Sequence, residues 1–135
     1  MHPSVRVRLA ADPWIARVGL HDPARYALGA VYWIAVNSVL EEYVWRWFVV
    51  KKCEGMLRPA WAVPLSAILF TVHHTIALSV YMDIPAVLLC STGVFAGGLI
   101  WSSMYIRLRS IWPGYVSHAI VDLCILSIGA SIMFH

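Results

Sequence analysis

Two adjacent glutamates, Glu41 and Glu42, stand in the stretch Tyr26 to Val50, which is otherwise apolar enough to cross a bilayer. A charged side chain at membrane depth costs about 2.5–3.5 kcal/mol on insertion scales, so such a residue calls for a partner and a function. Arg46 follows Glu42 by four residues, one helical turn away on the same face. His73, His74, His118 and Asp122 fall in other hydrophobic segments. Carboxylates and imidazoles in a dry setting are the equipment of proton transfer to and from water, or of divalent-metal ligation. Their number exceeds what gluing a short helical bundle requires.

Helical phase divides the two acids. Glu42 shares its face with Arg46 and is expected as a structural ion pair, whereas Glu41 points about 100° away and is expected as the base. Asn37 underlies Glu41 at the same four-residue spacing, Phe70 stacks over His74, and His118 aligns with Asp122. His73 and His74 diverge by the same angle, so only one serves a given site. His74 is favoured because Phe70 shares its face. Ser66, Ser102, Ser103 and Ser117 read as packing or backbone-bonding residues, since no Ser-His-Asp order is compelling.

The elements that must carry these residues are membrane helices. The chain is 135 residues long, 61% hydrophobic with mean hydropathy +0.73, against an apolar share of roughly 45–50% in soluble domains. About 20 predominantly apolar residues make a span, and four such segments are expected: Tyr26 to Val50, Pro59 to Tyr81, Ile84 to Ile106 and Ile111 to Phe134. The fold class is therefore an all-α membrane protein, a bundle of about four transmembrane helices. Residues 1–25 form an N-terminal arm, with a short interfacial helix expected over Pro13 to Leu20, and residues 26–135 form a single membrane core. No removable signal is apparent in the arm. Counting about 1.5 Å per residue from the side bearing Lys51 and Arg109, Glu41 lies roughly 15 Å deep, His74 about 22 Å, His118 about 10 Å and Asp122 about 16 Å. All four fit one band near mid-membrane. Gly93 to Gly98 supplies a small-xxx-small pattern for close helix packing within the bundle.

Composition also excludes. The net charge of +3 sits in flanks and connectors that suit lipid headgroups, and no basic face with interleaved aromatics marks a nucleic-acid partner. Cys53, Cys90 and Cys124 have no metal-ligand spacing, and no disulfide is expected.

The polar residues occur in order as EEYVWR from Glu41 to Arg46, FTVHH from Phe70 to His74 and HAIVD from His118 to Asp122. The sequence resembles the CPBP family, which comprises type II CAAX prenyl proteases and bacteriocin-processing or Abi-like proteins, through its EExxxR, FxxxH and HxxxN/D motifs. The resemblance implies an intramembrane endopeptidase of the glutamic type that needs no cofactor beyond a catalytic water. Glu41 would be its general base assisted by His74, His118 with Asp122 would stabilise the oxyanion, and Arg46 would tie Glu42 in place. Asp122 departs from the asparagine usual in the prenyl proteases. An ionised aspartate accepts hydrogen bonds and donates none, so here it would orient His118. The chain is similar to small bacterial members, some of which process C-terminal sorting tags. That implies a multi-pass protein of the bacterial inner membrane acting on a membrane protein or peptide.

Two rivals keep the residues and change their use. A zinc-dependent membrane protease would use Glu, two His and Asp as ligands, and survival of activity after chelation eliminates it. A non-catalytic membrane interaction or immunity protein would use the cluster only to lock the bundle, and then Glu41→Gln leaves biological activity intact.

Overall fold

The computed structural model describes Arg17 and residues 19–134. Every regular element among them is helical. Most of the interfacial helix expected over Pro13 to Leu20 lies outside the described residues.

The first element, α1 (Pro23–Tyr32), starts where the chain is chemically prepared to start a helix. The Asp22 carboxylate accepts the backbone N–H groups of Ala24 and Arg25 at 2.8 and 3.0 Å, and Pro23 fills the first helical position, where its missing N–H is no loss. These amide contacts, Arg25 first, hold the Asp22 carboxyl below its ordinary range.

The first membrane segment differs from the regular α-helix its apolar run predicts. After α1 the helix widens to a π-helical stretch, Trp33–Asn37, tightens to α2 (Ser38–Glu42), widens again over Tyr43–Val50, and ends as α3 (Lys51–Met56). The Ser38 N–H reaches back five residues to the Trp33 carbonyl, the π-type bond. The second wide stretch is almost wholly aromatic and β-branched, types that crowd an α turn. In it Tyr43 and Trp47 stack at 4.8 Å with their planes 13° apart. The pair of glutamates thus lies on one short α segment between two widened ones, the setting in which π-bulges recur at functional sites.

Three of the four expected spans appear as long apolar helices, whereas the first is divided into the shorter segments above. Helices α4 (Pro59–Ser79), α5 (Ile84–Leu108) and α6 (Trp112–Phe134) are each long and apolar enough to cross a membrane. Pro59 and Pro85 occupy first-turn positions, and Asp83 caps α5 by accepting the Ala86 N–H at 3.2 Å. Large apolar side chains such as Trp61, Ile76, Leu88 and Leu89 are exposed, as a lipid-facing surface requires. This is an integral membrane protein of all-α fold.

The chain forms two compact units, Leu40–Tyr115 and the pair of segments Met1–Val39 and Val116–His135. In the first, α4 and α5 meet at Gly98, where an added Cβ would lie 3.2 Å from both Cα and Cβ of Ala67 and 3.3 Å from Phe70. Of the small residues expected to allow close packing, Gly98 makes that approach. Gly93 faces open space, and Gly97 packs on Trp101 of its own helix. Buried Ser66 and Ser102 lie 3.4 Å apart across the same contact, and Thr75 and Ser91 are hydrogen-bonded at 2.7 Å. In the second unit the Tyr26 hydroxyl donates to the Leu126 carbonyl at 2.8 Å, and its ring meets Phe134 edge-on at 5.5 Å. Gly129 makes room for that hydroxyl, which would lie 2.7 Å from an added Cβ.

Candidate active site

The residues singled out by sequence fall into two sets, one in each compact unit. Glu41, Glu42, Arg46, Phe70 and His74 belong to Leu40–Tyr115, and Asn37, His118 and Asp122 belong to the other.

Within the first set the two glutamates have separated as helical phase requires. Glu42 and Arg46 are completely buried, with Glu42 Oε1 3.5 Å from Arg46 Nη2. Among the described residues none of the three guanidinium nitrogens makes a hydrogen bond. The cation is held by the Glu42 charge and by two ring faces, Phe70 at 4.5 Å and Trp101 at 5.4 Å. Such contacts gain strength in desolvated surroundings. Phe70 in turn meets Trp45 and Trp101 edge-on at 5.4 and 6.2 Å. Gly114 lies against the Glu42 carboxylate so closely that any Cβ there would collide with Oε2.

Glu41 faces His74 instead. Its Oε2 stands 3.6 Å from His74 Nε2, with both side chains part-buried. The other imidazole nitrogen, Nδ1, is 2.9 Å from the Phe70 carbonyl. A carbonyl only accepts, so Nδ1 carries a proton and Nε2 is the nitrogen left to exchange one with Glu41 or with a water between them. Phe70 also packs on the His74 ring at 4.2 Å, so one residue fixes the imidazole through both its ring and its carbonyl. His73 is exposed and lies against Trp45 at 5.5 Å.

In the second set His118 is buried, and its Nε2 lies 3.8 Å from Asp122 Oδ1 one turn on. The other carboxylate oxygen, Oδ2, accepts a 2.7 Å hydrogen bond from the Ser38 hydroxyl. Ser38 has no exposed surface. Ser38 and Gly114 carry no signal of these contacts in the sequence, and Trp101, which reads there as an interface aromatic near a span end, covers Arg46. Ser38 stands three residues before Glu41, where a serine in an apolar helix looks like any small packing residue. Among the described residues no three His, Cys, Asp or Glu side chains lie close enough to ligate a metal ion.

One carboxylate locked by arginine, a second aimed at an imidazole, and a separate His-Asp pair are carried on three motifs whose order covers most of the chain. A family model for type II CAAX prenyl endopeptidase, Rce1-like, matches residues 23–124. The chain belongs to that family. An Rce1-like protein is a membrane-embedded protease, and its substrates are membrane-associated proteins. The matched region runs from the first residue of α1 to the middle of α6 and includes each of EEYVWR, FTVHH and HAIVD. No curated protein and no solved structure matches the chain.

Proposed function

We propose that this Rce1-like protein is an intramembrane endopeptidase of the glutamic type, with Glu41 as general base. The pairing of Glu41 with His74 at 3.6 Å carries the reading. It puts a carboxylate and an imidazole of fixed tautomer within reach of one water molecule, which is what activation of a hydrolytic nucleophile requires. Glu41 takes a proton from water as the oxygen attacks the scissile carbonyl carbon. The role of donor to the tetrahedral oxyanion falls to His118 by its place in the HxxxD motif, with Asp122 orienting its ring and Ser38 holding that carboxylate. As the C–N bond breaks, the proton held by Glu41 passes to the leaving amine.

Glu42, Arg46, Phe70 and Trp101 position this helix without touching substrate. Asp122 in place of asparagine fits Ser38, whose hydroxyl donates to Oδ2 and leaves Oδ1 turned to His118. The substrate is a membrane-embedded or interfacial segment cut near its own terminus, a C-terminal sorting tag included. It enters laterally from the bilayer, in a bacterial inner membrane. Water alone serves as the nucleophile's source, with no metal.

The test is hydrolysis by purified enzyme added to membranes from cells lacking its gene, run in ¹⁸O-water after exhaustive chelation. New protein termini bearing one solvent-derived oxygen are expected. Absence of new termini both with and without chelation overturns the protease reading, and loss on chelation with recovery on zinc overturns the metal-free mechanism.

A further inference from the structure

A groove of about 720 Å³ runs along the helix beyond the glutamates, lined by Trp47, Phe48, Lys51, Lys52, Gly55 and Met56. The six residues recur at i, i+1, i+4, i+5, i+8 and i+9, so they occupy one exposed face. The lysines are folded back along that face. Lys51 Nζ lies 5.6 Å from the Trp47 ring centre, and Lys52 Nζ lies 5.7 Å from that of Phe48. Each ammonium group is thus held one turn nearer the apolar part of the helix than its own Cα. The single acid of α3, Glu54, is drawn off elsewhere. Arg109, in a left-handed conformation (φ 53°) at the end of α5, reaches it with two hydrogen bonds of 2.6 and 2.9 Å. Two cations at the end of a membrane helix therefore face outward with no carboxylate beside them on α3.

We propose that this groove binds an anionic phospholipid. Its phosphate sits on Lys51 and Lys52, and an acyl chain lies along Trp47 and Phe48. The charge requires an anion, and the aromatic floor, continuous with the exposed apolar residues Tyr43, Val44 and Leu40, requires that the anion carry a hydrocarbon. A second copy of the chain docking through the same face would bring both pairs of lysines into one interface, since a two-fold contact uses the same patch twice, and their like charges would repel. Gly55 leaves the groove open. An added Cβ there meets nothing within 4 Å, so Gly55→Leu fills the groove without disturbing the packing and without changing charge.

The experiment is native mass spectrometry of the full chain taken from bilayers of phosphatidylcholine with a minor share of phosphatidylglycerol. Wild type is expected to retain phosphatidylglycerol preferentially. Lys51→Gln with Lys52→Gln should weaken that preference by about 30-fold, on the scale of one near-surface cation each, and Gly55→Leu should remove the retained lipid at unchanged net charge. Arg107→Gln, which removes an exposed cation outside the groove, should leave the preference in place. Equal retention of the two lipids by wild type, an unchanged preference in Gly55→Leu, or a doubled protein mass without lipid overturns the proposal. None of these readouts involves cleavage, so they stand or fall apart from the protease reading.

Discussion

Replacing Arg46 by methionine should strongly destabilise the protein, and replacing Glu42 by glutamine in the same chain should largely restore its stability. The two side chains are fully buried, 3.5 Å apart, and remote from solvent that could screen either charge. Removing the cation leaves a carboxylate in an apolar setting, which costs about 3–5 kcal/mol when one member of a buried pair is lost. Against a total stability of about 5–15 kcal/mol, that raises the unfolded population by roughly two to three and a half powers of ten. The double variant removes both charges and keeps an unbranched side chain against Phe70 and Trp101, so its stability should return to within about 1–2 kcal/mol of wild type. The assay is denaturant unfolding in detergent followed by tryptophan fluorescence, for which the chain offers seven reporters. Cleavage by the refolded double variant is measured alongside, and a substantial fraction of wild-type turnover is expected. Arg46→Met as stable as wild type would refute the structural role of the pair. A double variant that folds normally yet is inert would show that Glu42 or Arg46 takes part in the chemistry.

Other predictions come from single contacts. Ser38→Ala removes the donor to Asp122 and should cost about 1–3 kcal/mol of stability, since it leaves a part-buried carboxylate oxygen without its hydroxyl. It should also lower kcat with little change in KM, and in an Asp122→Asn background its further effect on kcat should be small. Additive losses in that double-mutant cycle would separate the two residues. Gly114→Ala forces the Glu42 carboxylate to move and should destabilise by about 1–3 kcal/mol, read by the same unfolding assay; an unchanged midpoint would contradict the close approach. Gly98→Val drives a side chain into the Ala67 backbone and should have a cost of similar size. The Asp22 cap gives a pH dependence: its folded-state pKa lies below the ordinary value of 3.8. Its stabilisation is therefore complete above that value and is lost as pH falls through the lower folded value. Protection of the Ala24 and Arg25 amides against hydrogen exchange, relative to their intrinsic rates at each pH, should fall only in that acid range. Loss of protection beginning near neutrality would point to a different group.

The spans and the pairing of the motif residues were legible because both follow from period and hydropathy. Pro59, Asp83 and Pro85 mark helix starts by their own chemistry, and the structure begins α4 and α5 where they predict. The four-residue spacings Glu42 to Arg46, Phe70 to His74 and His118 to Asp122 survive as contacts because side chains one turn apart must meet. What stayed hidden depends on neighbours distant in sequence. Ser38 meets Asp122 across 84 residues, and Trp101 meets Arg46 from another helix. Gly114 matters only because a carboxylate lies on it. The π-helical widening on either side of α2 is likewise outside what hydropathy reports, since an apolar run fixes the length of a span but not its hydrogen-bond step.

The measurement that bears most directly on the role of Glu41 is a comparison of membrane-protein termini in cells carrying wild type and cells carrying Glu41→Gln. Equal amounts of the two proteins with matching unfolding midpoints are required for the comparison. Termini generated by wild type should be missing from the Glu41→Gln cells, because the amide cannot accept the proton of the attacking water. The same termini appearing in both, at similar abundance, would contradict the assignment of Glu41 as the base.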